Sequence, residues 1–128
     1  MPEIPLTKPA LARLYLNLGS EAGLTRILRD FYRRMASDTM IGFFFAGHDT
    51  DRIADQQRAF LMRAMGATSS YTGIAPAQAH AKLPPILAGH FDRRLRILEE
   101  TLRAHGVSDE DIRTWVSFES AFRDQIVD

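Results

Sequence analysis

The stretch "LGSEAGLTRILRDFYRRM", residues 18–35, indicates the class of fold. Gly19 can end one helix, and Ser20 can cap the next one. In that second helix the apolar residues recur at the spacing of a single helical face. They are Leu24, Ile27, Leu28, Phe31 and Met35, and Tyr32 lies on the same face. The stretch therefore predicts a helix whose buried face includes one polar group.

Turn residues divide the rest of the chain into segments of helical length. Asp49 or Thr50 can cap a helix that ends at Gly66. Ser108, followed by Asp111, resembles a capping box. The helix that ends at Gly106 has an apolar stripe of Phe91, Leu95, Leu98 and Leu102. The last helix has a stripe of Ile112, Trp115, Val116, Phe122 and Ile126. No segment alternates over the length of a strand, so we expect an all-α fold with one domain over residues 1–128.

The composition excludes several classes of function. With 16 basic and 16 acidic residues the chain has no net charge, so we expect neither nucleic acid nor an anionic membrane surface as a partner. The absence of cysteine excludes disulfides, iron–sulfur clusters and thiolate zinc sites. No apolar run approaches the roughly 20 residues that cross a bilayer, and residues 1–10 do not resemble a signal peptide. We therefore expect a cytoplasmic protein.

Two polar side chains interrupt the apolar faces of their helices. Tyr32 is one, and Gln57 lies between Ile53 and Phe60 on the stripe of the next helix. A buried amide without a partner would cost about 1–3 kcal/mol. Either the phenol and the amide form a hydrogen bond with each other in the core, or both face a polar ligand bound in the interior.

A short helical segment carries His80. In "AHAKLPPILAGHF", residues 79–91, Pro84 and Pro85 stop any helix soon after this histidine. The imidazole is either a helix cap or a ligand. The residues on either side are small, and Leu83 could cover the face of the ring. One imidazole cannot hold zinc, but it is enough for the iron of a haem, because the porphyrin supplies four further bonds.

Other residues allow a structural and a functional interpretation. The run Phe43-Phe44-Phe45 should point inward, either as ordinary core or against a flat macrocycle. His48 beside Asp49 resembles a fragment of a metal site, as does His90, but capping explains the aspartate and the usual ligand spacings are missing. A further cluster alternates with acidic residues, which predicts a solvated helix face in preference to an RNA-binding surface. It consists of Arg93, Arg94, Arg96 and Arg103.

Taken in order, these features resemble a group 1 truncated haemoglobin. They are "FY" at 31–32, "FF" at 44–45, Gln57 with "FL" at 60–61, "YTG" at 71–73, His80 and "HF" at 90–91. The resemblance covers essentially the whole chain. It implies a shortened globin fold, with helices stacked two over two around a haem b, and a proximal histidine on a very short segment.

The resemblance also implies roles for individual residues. His80 would bind the iron, Tyr32 would point its hydroxyl at bound dioxygen, and the amide of Gln57 would help to hold that ligand. Phe45 would wedge against the haem with Phe44 beside it, and Ile53 would take the distal position. Leu61, next to Phe60, stands where many members have an aromatic gate to a ligand tunnel. Basic residues that hold the haem propionates in many relatives are missing, and we expect Tyr71, Lys82 and His48 to replace them.

The resemblance implies a haem protein that binds dioxygen and other diatomic gases. It is compatible with nitric oxide dioxygenation or peroxidase-like activity, supported by a reductase. The alternative is a helical regulatory or interaction domain without haem. In that case His80 caps a helix, and Tyr32 and Gln57 form a core hydrogen bond.

Overall fold

A computed structural model describes residues 6–68 and 83–128. These two parts of the chain are helical and contain no strand. In chain order the elements are α1 (Lys8–Asn17), α2 (Ser20–Ala36), a 3-10 helix (Gly42–Phe45), α3 (Thr50–Ala64), α4 (Ala88–Ala104), α5 (Asp109–Ser120) and α6 (Arg123–Ile126). The predicted all-α class is confirmed.

Most of the predicted helix ends are found. The Asp49 carboxylate accepts hydrogen bonds from the backbone N–H groups of Asp51 and Arg52 at 3.1 and 3.3 Å, which caps α3. Ser108 Oγ likewise accepts from the N–H of Asp111 at 3.2 Å and caps α5. These caps satisfy donors that the first turn of a helix cannot satisfy internally.

The start of α2 differs from the prediction. Gly19, with φ at 97°, is the residue that precedes the helix, and Ser20 is already its first residue. The expectation that Ser20 caps α2 is therefore wrong. The turn from α1 is so tight that it needs left-handed backbone at Gly19, which glycine adopts without a steric penalty, and no side chain caps this helix.

The last predicted helix is interrupted. Its apolar stripe was expected to continue to Ile126, but α5 ends at Ser120 and α6 starts at Arg123. The turn places the ring of Phe122 edge-on to Phe60 and to Phe118, with centroid distances of 5.7 and 5.3 Å. The chain therefore turns after Ser120, and Phe122 contacts Phe60 on α3 instead of extending α5.

The core lies around α2, which contacts α1, α3, α4 and the 3-10 helix. The predicted stripe of α2 is buried in full, as is Trp115 from α5. Helices α2 and α3 form one packed pair, and α4 and α5 form another, with α2 in contact with α4. A cavity lies between the two pairs. No helix in residues 6–68 or 83–128 is long and apolar enough to span a membrane.

Candidate functional site

The cavity between the helix pairs has a volume of about 1480 Å³. This exceeds the roughly 300–1,000 Å³ of ordinary ligand pockets. Its wall is formed by the 3-10 helix and by parts of α2, α3, α4 and α5. The apolar part of the wall includes Ile41, Phe44, Phe45, Ile53, Phe60, Leu83, Ile86 and Phe91.

Tyr32 and Gln57 both line this cavity. The Tyr32 ring is buried, and it packs against Phe31 and, edge-on, against Phe45, with centroid distances of 5.4 and 5.9 Å. Among the described residues the phenol and the amide make no hydrogen bond to each other, and the Gln57 amide has no partner there. The mutual core bond, which was one of the two interpretations, is therefore not formed. The arrangement favours the other one, in which both groups face a polar guest.

An ion pair that the sequence did not predict lies in the cavity wall beside Tyr32. Arg94 Nη2 and Nε donate to Glu119 Oε2 at 3.1 and 3.2 Å. Trp115 Nε1 donates to Glu119 Oε1 at 3.3 Å. The side chains of Arg94 and Glu119 are only 19% and 9% exposed, and both residues line the cavity.

The expectation that Arg94 belongs to a solvated helix face is wrong. Its neighbours Arg93, Arg96 and Arg103 do reach the surface, where they pair with carboxylates. Arg94 lies three residues after Phe91 and four before Leu98, both of which are buried. This spacing placed it on the apolar face of α4, and that was the signal in the sequence that could have identified it.

Burial and two opposite charges act on the Tyr32 phenol. Burial raises its pKa above the usual range, the positive charge of Arg94 opposes this shift, and the carboxylate of Glu119 adds to it. For Arg94, burial lowers the pKa, but the charge of Glu119 and the contacts with Tyr32 outweigh burial and raise it overall. The phenol therefore keeps its proton at neutral pH, and the guanidinium keeps its charge.

The phenylalanine run is split between the cavity and the surface. Phe44 and Phe45 line the cavity, as predicted, but Phe43 is 53% exposed, so the expectation that it points inward is wrong. The 3-10 helix turns this ring to the outside. There it stacks on Phe44 at a centroid distance of 4.1 Å and lies near the ring of His90 at 5.7 Å.

The two described histidines with metal-like contexts do not form a metal site. His48 is exposed and lines the cavity. His90 Nδ1 accepts a hydrogen bond from the N–H of Leu87 at 3.0 Å, so it caps the start of α4. Within the described parts of the chain no three His, Asp or Glu side chains are grouped as metal ligands.

The other predicted contact residues divide into three groups. Ile53, Phe60 and Leu83 line the cavity. Leu61 is fully buried in the core and is not among the residues that line this cavity; its predicted contact with the cofactor stays a prediction. The last group, His80, Tyr71 and Lys82, lies outside the described residues.

Comparison with known proteins agrees with this architecture. Residues 13–127 match the model of the family described as bacterial-like globin. A group 1 truncated haemoglobin from Synechocystis sp. is 32% identical over 103 residues, which are 78% of this chain and 83% of that protein. One from Tetrahymena thermophila is 29% identical over 99 residues, or 77% and 81% of the two chains.

Solved structures show the same similarity in three dimensions. The truncated haemoglobin of Tetrahymena pyriformis in its Fe(III) form matches with a TM-score of 0.80 and 27% identity, over 89% of this chain and 97% of that one. The two-over-two haemoglobin of Synechococcus sp., in the cyanomet state and with covalently attached haem, matches with a TM-score of 0.78 and 26% identity, over the same shares. The chain therefore belongs to the bacterial-like globin family, among the group 1 truncated haemoglobins, and the predicted two-over-two globin fold is confirmed.

Proposed function

We propose that this globin binds haem b with His80 as the protein ligand of the iron, and that Tyr32 and Gln57 hold dioxygen in the cavity. Membership of the globin family makes the chain a haem protein that binds small gases. One observation supports the finer proposal: a phenol and an amide that do not bond to each other face a largely apolar cavity. Such groups need a polar guest, since unpaired polar groups in an apolar setting are costly.

The cavity fits a large flat group that is apolar in its middle and polar at its edge. Phe44, Phe45 and Ile53 supply apolar wall. Exposed His48 and Arg52 also line the cavity, so they offer hydrogen-bonding or positive groups to haem propionates. For Tyr71 and Lys82 the same role remains the one predicted in the sequence analysis. When bound, haem supplies the iron that takes up gases and changes its oxidation state.

The distal side chains then determine which gas is retained. The raised pKa of Tyr32 keeps its hydroxyl protonated, so the phenol donates a hydrogen bond, and the Gln57 amide offers a second N–H. Bound haem would give dioxygen a partial negative charge, whereas carbon monoxide would be less polarised. Hydrogen bonds to a charged acceptor are the stronger kind, so these two donors favour dioxygen and slow its release.

The reaction that we propose is nitric oxide dioxygenation. Nitric oxide and dioxygen would give nitrate, and bound haem would supply the one electron that nitrate formation needs. A reductase has to return that electron before the next turnover. The chain itself would hold dioxygen during this reaction through Tyr32 and Gln57.

Replacing His80 with Ala tests the haem assignment. We expect most of the haem to be lost, so that the Soret band of the purified protein falls strongly, and added imidazole should restore part of it because the vacated site can take a free ligand. His48→Ala and His90→Ala are matched controls and should keep the band nearly unchanged. Full haem retention with an unchanged spectrum in His80→Ala would contradict the assignment. A colourless wild-type protein that takes up no haemin would support the alternative of a haem-free interaction domain.

A further inference from the structure

We propose that Arg94 is a positioning residue for Tyr32: Glu119 and Trp115 fix its guanidinium beside the phenol, and this sets how strongly the cavity discriminates dioxygen from carbon monoxide. The inference rests on the proposed role of Tyr32 in holding dioxygen. It adds a third polar side chain to the distal wall, one that acts through the phenol.

The guanidinium is held from several directions. Its Nε and Nη2 donate to the Glu119 carboxylate, which also accepts the indole N–H of Trp115. Its Nη1 lies 3.7 Å from the sulfur of Met35 on α2. Three helices thus fix the position of one cation, and little of it reaches solvent.

The same guanidinium is next to Tyr32. Arg94 Cζ lies 5.0 Å from the ring centroid of Phe31 and 5.7 Å from that of Tyr32. Arginine has five N–H donors in a rigid plane, and Glu119 does not use all of them. The guanidinium therefore keeps N–H groups free on the side of Tyr32, and its positive charge acts against the rise that burial causes in the pKa of the phenol.

This placement has a chemical consequence for the phenol. A cation close to the phenol favours negative charge on its oxygen, which makes the O–H group a stronger hydrogen-bond donor. A stability role alone explains the pair poorly, since buried ion pairs are often no more stabilising than apolar side chains of similar size. A charged pair in the cavity wall is better explained by its effect on the neighbouring donor.

The test compares Arg94→Leu with Arg93→Leu in the haem-loaded protein. We expect Arg94→Leu to speed dioxygen release by roughly three- to tenfold, the loss expected for one weakened hydrogen bond, and to change carbon monoxide release much less. Arg93 pairs with Asp38 and does not line the cavity, so its replacement should change either rate by less than about twofold. If Arg94→Leu speeds the release of dioxygen and of carbon monoxide equally, the substitution has only weakened the packing of the cavity wall. That result would overturn the proposal.

A double-mutant cycle shows whether Arg94 acts through the phenol. In a Tyr32→Phe background, Arg94→Leu should have no further effect on dioxygen release. An effect that persists there would mean that Arg94 acts on the ligand directly, which overturns the positioning role. If Tyr32→Phe alone leaves dioxygen release unchanged, the proposed function itself fails, and this outcome is distinguishable from the previous one.

Arg94→Lys provides a second variant in case Arg94→Leu does not fold. Lysine keeps the charge beside Glu119 but lacks the rigid plane of donors. Dioxygen release should therefore lie between the rates of the wild type and Tyr32→Phe, with carbon monoxide release unchanged. A rate equal to that of the wild type would overturn the proposal, because the planar group would then not be needed.

Discussion

At the scale of single residues, the proposed gas-holding role rests on two polar side chains of the cavity wall, Tyr32 and Gln57. Tyr32 is buried, and its ring packs against the rings of Phe31 and Phe45, which limits its movement. The Gln57 amide has no hydrogen-bond partner in the described chain. A hydrogen bond to a partly charged ligand contributes about 1.5–3 kcal/mol, and 1.4 kcal/mol corresponds to a tenfold change in an equilibrium constant.

We expect Tyr32→Phe to speed dioxygen release by at least about tenfold, because the phenol is the stronger donor and its loss leaves the ring packing intact. Gln57→Leu should have a smaller effect, since the phenol remains. Carbon monoxide release is the internal control and should change much less. Stopped-flow ligand replacement measures both rates.

The double variant Tyr32→Phe, Gln57→Leu tests whether the two donors act as one unit. Because they share one ligand, their effects on dioxygen release should not add. Additive effects would show that they act separately. No change in either single variant would mean that these polar groups are structural.

At the scale of helices, the close approach of α1 and α2 depends on one small residue. Gly23 is buried, and a Cβ atom at this position would overlap the carbonyl group of Leu18. The contact fixes how α2 leaves the turn at Gly19, and α2 carries Tyr32. Helix crossing and site geometry are therefore linked through this glycine.

Gly23→Ala should destabilise the protein by about 1–3 kcal/mol, because the added methyl group forces the two helices apart. Gly89→Ala in α4 is a matched control, since its Cβ would meet only the flexible end of Met40 at 3.3 Å. Alanine is the better helix former by up to about 1 kcal/mol, so this change should be neutral or stabilising. Chemical unfolding of both haem-loaded variants measures the difference, and a neutral Gly23→Ala would contradict the prediction.

At the scale of the whole molecule, ion pairs connect elements that are distant in sequence. Arg29 pairs with Asp55 between α2 and α3 at 3.0 Å. Arg93 on α4 pairs with Asp38 after α2 at 2.7 Å. In each case the hydrogen bond from the arginine lowers the pKa of the carboxyl group below its usual range.

These lowered pKa values predict a loss of stability in acid. The folded state binds protons at Asp38 less readily than the unfolded chain does. The contribution of Asp38 to the free energy of unfolding is therefore fully present above about 3.9, which is the pKa of aspartate in the unfolded chain. It is lost as the pH falls from that value through the lower pKa of Asp38 in the folded state. Asp38→Asn should reduce the loss of unfolding free energy between about pH 5 and pH 3 relative to the wild type.

Arg93→Gln is the companion variant, because it removes the partner and leaves the carboxyl group. It should flatten the same pH dependence, measured by denaturant unfolding at a series of pH values. The backbone N–H groups of Met40 and Ile41 still donate to the carboxylate in this variant, so part of the acid response should remain. A full acid response in Arg93→Gln would show that Arg93 does not lower the pKa of Asp38.

The sequence by itself determined most of the local structure and the family. Helical periodicity placed the buried face of α2, and Asp49 and Ser108 marked the starts of α3 and α5, because caps and stripes depend on residues within a few positions. The ordered set of aromatic and polar residues identified the globin family, which the comparisons confirm. It also predicted that Tyr32 and Gln57 interrupt apolar faces, and both line the cavity.

Tertiary structure alone decided which faces meet. The rings of the phenylalanine run were equivalent by composition, yet only packing separates exposed Phe43 from the two that line the cavity. Leu61 follows Phe60 directly, yet Leu61 is fully buried in the core while Phe60 lines the cavity. Arg94 and Glu119 are 25 residues apart and on different helices, so no local pattern could pair them. Their charges are compatible with burial only because the fold brings them together, since a buried charge without its partner would be strongly destabilising.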